Sequence, residues 1–221
     1  MKNSHRDLVI FDTMGVIFHF PEGDDVKYGL WPFLEGKGIV FSSEEKERYE
    51  TEFYRKGTLG ELSSSEFLQK IVPKSINVQS LEDEYLASDK FVLAEDLVTV
   101  LENLKERYVL GVLSNDIAKW NKKLRQRFTI DKYFDLIVIS DEAKGRKPEK
   151  KIFEYALAKI KSKGFSPQRT YFVDDSLENL HTASTLNMRT IYKVLKTNDD
   201  HPYTPDYRIK QLSELLQLFN F

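Results

Sequence analysis

The chain contains no cysteine. That absence excludes disulfides, zinc–thiolate centres and thiol nucleophiles. Charge of either sign is barely in excess: 33 Lys and Arg face 35 Asp and Glu, a formal net charge of -2. Sequence-blind nucleic-acid binding needs a basic surface, so no nucleic-acid partner is expected. Long apolar runs are missing too. No segment approaches the roughly 20 apolar residues of a membrane span. The opening stretch "MKNSHRDLVIF" carries charges and only a short apolar run, unlike the apolar region of a signal peptide. A soluble, cytoplasmic protein with no membrane partner is the expectation. The 4 histidines show no ligand spacing, so a histidine-based metal site is not expected. There is no internal repeat and no low-complexity tract.

What is present is an ordinary globular balance, 41% hydrophobic and 31% charged residues over 221 positions. That length suits one large domain or one domain carrying an insertion. Continuous apolar runs predict strands at 8–11, 108–114, 135–140, 170–174, 189–194 and 207–209. Runs without polar alternation suit strands buried on both faces. Amphipathic patterns predict helices at 95–107, 149–164, 176–187 and 209–219. The first places Leu97, Val98, Leu101 and Leu104 on one stripe. The second places Ile152, Phe153, Ala156, Leu157 and Ile160 on another and stops at Gly164. Strand–helix alternation predicts an α/β fold: a Rossmann-like parallel sheet flanked by helices.

Residues 20–91 break the rhythm with polar, helix-like segments at 42–57, 62–72 and 80–91. Serines open the first of these, followed by Glu, as in a capped helix start. The expected organisation is therefore a core from 1–19 and 92–221, with a helical cap at 20–91. The aromatic residues Phe18, Phe20, Tyr28, Trp31 and Phe33 follow the first strand. They suit either packing or the wall of a substrate pocket.

In open parallel sheets, ligands bind beyond the carboxyl ends of the strands. The residues placed there are Asp12 after the first strand, then Ser114, Asn115 and Asp116 after the second. Asp174 and Asp175 follow the fourth. Lys147 precedes a helix, with Pro148 at its first turn. Two carboxylates could share a hard divalent cation through oxygen, as Mg²⁺ prefers. Lys147 could neutralise remaining charge, Ser114 could hold phosphate oxygens, and Asp12 could act as a nucleophile. Plainer roles compete: Asp174, Asp175 and Ser114 are also favoured helix caps, and Lys147 could be a solvated surface residue.

Four stretches in order, "LVIFDTMGV", "LGVLSND", "GRKPEKKIFEYAL" and "YFVDDSLENLHTA", resemble the four motifs of the haloacid dehalogenase-like hydrolase superfamily. The resemblance covers residues 7–19 and about 92–211, and the insertion after the first motif matches the subclass with a small helical cap. It implies that Asp12 is the nucleophile, that Ser114 with Asn115 binds the transferring group, and that Lys147 stabilises the charge. It implies Mg²⁺ as cofactor, held by Asp12, the backbone carbonyl of Met14, Asp174 and Asp175, with Asn179 supporting that loop. The implied substrate is a small phosphorylated metabolite. No oligomeric state follows.

One position departs from the pattern. Phosphatases of this family carry a second aspartate at position 14, which protonates the leaving group and then activates water. Met14 cannot hold a proton, and such help is worth on the order of 10²–10⁴ in rate. Three readings are open. Asp116, His19 or a cap residue could supply the proton. The chain could run other chemistry, as dehalogenases and phosphonate-cleaving members do, the latter with a cap lysine such as Lys27, Lys37, Lys46 or Lys56. Or it could be a catalytically impaired protein that binds a phosphorylated ligand.

Overall fold

A computed structural model of the chain describes residues 6–20, 27–166, 169–195 and 201–220. The apolar run after Asp7 forms strand β1 (Leu8–Phe11), all four residues buried. Alternate side chains of a strand point to opposite faces. Leu8 and Ile10 therefore enter one apolar core and Val9 and Phe11 the other. Burying each such side chain is worth about 1.5–3 kcal/mol, which explains why this strand is apolar on both sides.

The remaining strands are β2 (Phe18–His19), β3 (Val92–Leu93), β4 (Val109–Ser114), β5 (Leu136–Ile139), β6 (Thr170–Asp174), β7 (Arg189–Lys193) and β8 (Tyr207–Ile209). Five of them join β1 in one parallel sheet, in the order β5-β4-β1-β6-β7-β8. β2 and β3 pair separately as a short antiparallel ribbon. β1 is central, with β4 and β6 on either side. The chain leaves β1 toward β4 and β5, then returns to β6, so the order reverses beside β1. In such sheets the crevice at that reversal is where ligands bind.

Among the described residues, five helices lie between β2 and β3: α1 (Lys27–Glu35), α2 (Ser43–Tyr49), α3 (Arg55–Thr58), α4 (Ser64–Ile71) and α5 (Val78–Ala87). A π-helical turn, Glu50–Tyr54, joins α2 to α3. The serine start is a full capping box, Ser42 with Glu45, and Ser63 with Glu66 repeats it ahead of α4. The flanking helices are α6 (Leu97–Arg107), α7 (Ala118–Arg127), α8 (Ser140–Ala143), α9 (Lys150–Ser162), α10 (Leu177–Ser184) and α11 (Glu214–Leu218).

Two details differ from the sequence reading. Val98 is 37% exposed, and the buried stripe of α6 is Leu97, Val100, Leu101 and Leu104. Val98 and Val100 are both apolar, and the direction of the sheet decides which one turns inward. The expected helix at 209–219 begins only at Glu214, because Ile209 closes β8 against β7. The predicted stop at Gly164 is present, with φ +84° just past α9.

Candidate active site

Each strand end delivers one chemical group. Asp12 follows β1, and its backbone N–H donates to Val173 O on β6 at 2.9 Å, so the chain stays in register one residue past the strand. The Thr13 N–H donates to Asp12 Oδ1 at 2.6 Å. Lys147 Nζ lies 2.7 Å from Asp12 Oδ1 and 2.8 Å from Asp174 Oδ2. The lysine is buried between two carboxylates and is no surface residue. Burial alone would lower its pKa, but Asp12 and Asp174 together raise it, so it stays an ammonium. Asn115 holds it in place: the Asn115 side-chain oxygen accepts from the Lys147 N–H at 2.7 Å and its amide donates to the Lys147 carbonyl at 2.8 Å.

Asp174 is fully buried. Beyond Lys147 it accepts from the Ser176 N–H at 2.8 Å and from Asn179 Nδ2 at 3.0 and 3.2 Å. Ser176, not either aspartate, is the N-cap of α10. Asn179 supports the loop as the family resemblance implies. Asp175 faces the other way, over the backbone of Gly15. That glycine has φ +79°, and a Cβ on it would lie 2.7 Å from Asp175 Cγ. The left-handed backbone and the close approach both demand glycine there.

Ligand oxygens of Asp12, Asp174 and Asp175 lie within 4.8 Å of one another. Burial pushes Asp12 up to about 7 against the pull of Lys147, with Asp174 adding to the rise. Burial and then repulsion from Asp174 and Asp12 push Asp175 well above the ordinary range. Three carboxylates and one ammonium leave two negative charges in a desolvated place, which one divalent cation would balance. An all-oxygen donor set suits a hard cation. These residues therefore fit the metal that the resemblance implies.

Ser114, at the end of β4, does not cap the next helix. Its Oγ is 2.5 Å from Thr13 Oγ1, which ties two adjacent strand ends together. Asn121 Nδ2 donates to Thr13 Oγ1 at 3.3 Å and to Asp116 Oδ2 at 3.0 Å. The Ile117 N–H donates to Asp116 Oδ1 at 2.7 Å.

A cavity of about 660 Å³ opens above these groups, between the strand ends and the helices α1–α5. Asp12, Met14, Ser114, Asn115, Asp116, Lys147 and Asp175 form its floor; Asp174 lies beneath, outside the lining. Six rings line it and touch in sequence: Phe20 to Phe91 (5.4 Å), Phe91 to Tyr85 (5.0 Å), Tyr85 to Trp120 (5.4 Å), Trp120 to Phe67 (5.8 Å) and Phe67 to Tyr54 (5.7 Å). Trp31 lines it as well, whereas Phe18 and Phe33 pack elsewhere, against Phe128 and Tyr85. The side chain of Tyr28 lies outside the described residues.

Sequence reasoning missed Thr13, Asn121, Tyr54 and Arg146, all placed around this cavity or its hydrogen-bond network. Asn121 lies on the buried side of α7 with Trp120 and Leu124, and only its contacts set it apart from an ordinary polar helix residue. The other candidates for proton transfer separate clearly. His19 sits on β2 opposite Val92 and is not among the residues lining the cavity. Lys37 pairs with Glu84 and Lys46 with Glu35 on the outside of the helices, and Lys56 is exposed. The side chain of Lys27 lies outside the described residues.

A parallel sheet that reverses beside a buried carboxylate, with a lysine and an acidic pair around it, defines an α/β protein with a charged site at its strand ends. A model of the haloacid dehalogenase-like hydrolases matches residues 6–186. The chain belongs to that family. It is 31% identical over 127 residues to a glyceraldehyde 3-phosphate phosphatase of Pyrococcus furiosus, covering 54% of this chain and 51% of that one. The chain thus spans about half the length of that relative. It is 24% identical over 183 residues to the pyrimidine 5'-nucleotidase YjjG of Escherichia coli, covering 78% and 79%. The fold matches that of the family enzyme BT-2542 of Bacteroides thetaiotaomicron, solved with magnesium and inorganic phosphate. The TM-score is 0.69 at 21% identity, over 90% of this chain and 100% of that one. No helix among the described residues is long and apolar enough to cross a membrane.

Proposed function

We propose that this hydrolase is a Mg²⁺-dependent phosphomonoester hydrolase acting on a small phosphorylated metabolite through an aspartyl-phosphate on Asp12. The observation that carries the reading is Lys147, 2.7 Å from Asp12 and 2.8 Å from Asp174, beside the acidic cluster of Asp12, Asp174 and Asp175. Asp12 is placed to attack phosphorus, since its Oδ1 is held by Lys147 and the Thr13 N–H. Ser114, which lines the cavity, would bind phosphate oxygens. Asp12, Asp175, Asp174 and the carbonyl of Met14 would hold the metal, which would neutralise charge on the phosphoryl group. Asn115 acts through Lys147 as a positioning residue. In this reading residues 20–91 are a cap over a core of 1–19 and 92–221, and the cap excludes water and large substrates.

The phosphatase and nucleotidase names of the relatives support phosphorus as the reacting atom. The paired acids at 174 and 175 argue for it over carbon–halogen hydrolysis, which needs no cation. That Lys37, Lys46 and Lys56 are not among the residues lining the cavity argues against a phosphonate mechanism through any of these three. The test is phosphate release from p-nitrophenyl phosphate with and without Mg²⁺, in wild type, Asp12→Asn and Met14→Asp. The expected result is turnover that needs both Mg²⁺ and Asp12. Turnover only in Met14→Asp would favour the reading as a ligand-binding protein with an intact but disabled site.

A further inference from the structure

We propose that Asp116 is the proton-transferring catalytic residue of this site, doing from the end of β4 what position 14 cannot. The inference rests on the phosphohydrolase reading above. Five carboxyl side chains line the described part of the cavity: Asp12, Glu50, Asp116, Asp175 and Glu178. Asp12 and Asp175 belong to the nucleophile and cation cluster. Glu178 is exposed, and Glu50 accepts a hydrogen bond from Trp31 Nε1 at 2.9 Å on the far side. Asp116 is the one that is buried on the floor yet outside that cluster.

Its position is fixed relative to the nucleophile. It stands two residues past Ser114, the last residue of β4, the strand next to β1. Ile117 N–H and Asn121 Nδ2 each hold one of its oxygens, and the same Asn121 amide reaches Thr13, the neighbour of Asp12. Arg125 anchors Asn121 in turn, and Ser140 Oγ donates to the Asp116 carbonyl at 3.4 Å. Tyr54 and Tyr85 from the helices above and Arg146 from the loop before Lys147 complete its surroundings. Each carboxylate oxygen has lone pairs left for a partner in the cavity. Burial raises Asp116 to about 6, so it carries a proton near neutral pH more often than an exposed aspartate.

The chemistry balances in two steps. An Asp12 oxygen attacks phosphorus, the bond from phosphorus to the leaving oxygen breaks, and that oxygen takes the proton of the Asp116 carboxyl. The products are the alcohol, the aspartyl-phosphate and an Asp116 carboxylate. Asp116 then takes a proton from water as the water oxygen attacks phosphorus. The bond to Asp12 breaks, inorganic phosphate leaves, and both aspartates regain their starting states.

The experiment compares an aryl phosphate, whose phenolate leaves without a proton, with an alkyl phosphate, whose alkoxide does not. In Asp116→Asn, kcat/KM on the alkyl phosphate is expected to fall on the order of 10²–10⁴. On p-nitrophenyl phosphate it falls less than about tenfold, because that step needs no acid. A burst of nitrophenol is also expected, because aspartyl-phosphate accumulates when water is no longer activated. Asparagine sets its amide against that of Asn121. If the variant does not fold, judged by its melting curve, Asp116→Ser keeps an acceptor for Ile117 and is expected to give the same ratio. An equal fall on both substrates, with no burst, would show a merely structural role and overturn the assignment while leaving the phosphohydrolase reading intact. Wild type inert on both substrates with Mg²⁺ would overturn the reading and the assignment together.

Discussion

The floor and the roof of the cavity are built on opposite principles. The floor is polar and comes from segments far apart in sequence: the strand ends at 12, 114 and 174–175 converge because β1 lies between β4 and β6, and the loop ahead of α9 brings Lys147 to them. Its groups are held by short, directional bonds, down to the two amide contacts by which Asn115 locks Lys147. The roof is apolar and is contributed largely by helices, through a chain of rings meeting at tilted or edge angles. Directional bonds fix atoms to within tenths of an ångström, as charge stabilisation at a reacting centre requires. Ring contacts are worth about 0.5–1.5 kcal/mol each and tolerate sliding, which suits a surface that selects a substrate by shape. Under the proposed function, chemistry is invested in the sheet and selection in the helices.

That division can be broken most sharply from the floor. Replacing Lys147 by Ala removes the ammonium between Asp12 and Asp174. A fall in kcat of about 10²–10³ is expected, as when one preorganised donor to a reacting centre is lost, with KM changing much less. Steady-state kinetics at saturating Mg²⁺ checks it. A next lever is Gly15→Ala. It puts a side chain at φ +79° and against Asp175, and positive-φ strain costs about 1–3 kcal/mol. Both the melting temperature and Mg²⁺-dependent turnover are expected to drop, because the strained residue adjoins the cation cluster. From the roof, Phe20→Leu removes a ring from the wall. The expected change is about tenfold or less in KM for an apolar-bodied phosphate, roughly 1.4 kcal/mol, with kcat nearly unchanged. A larger effect on kcat than on KM would contradict the division.

The same contrast explains what the sequence reveals. The floor was legible because Asp12, Ser114 and Asp174–Asp175 stand where an apolar run ends abruptly, because Lys147 stands just ahead of a helix, and because the four stretches come in the order of the family's motifs. Six strands of the sheet appear within a residue or so of their expected positions for the same reason. What stayed hidden depends on contacts between distant segments. Asn121 looks like any polar helix residue until its amide is seen bridging Thr13 and Asp116. Val98 competes with Val100 for the buried stripe, and only the sheet beneath decides. Tyr54 sits on a π-helical turn, whose extra residue shifts which side chain faces inward; no periodic pattern announces it.

The joint between roof and floor offers the gentlest test. Glu82, fully buried on α5, accepts from Trp120 Nε1 on α7 at 2.6 Å and pairs with Lys119. Burial alone would raise its pKa, but hydrogen bonds from Lys119, Ser64 and Trp120 outweigh that and hold it below the ordinary glutamate range. A carboxylate whose folded pKa is depressed contributes stability that is fully present above its unfolded pKa. That contribution is lost as the pH falls through the lower, folded value. Glu82→Gln keeps an oxygen for Trp120 but loses the charge that Lys119 uses. The variant is expected to be less stable by about 1 kcal/mol at neutral pH, read from denaturant melts. The gap to wild type should close as the pH drops below the ordinary glutamate range, where wild-type Glu82 also loses its charge. A gap that stays constant down to that acidity would mean that Glu82 joins the helices to the sheet by shape and neutral hydrogen bonding alone. The link that Glu82 makes between α5 and α7 would then owe nothing to its charge.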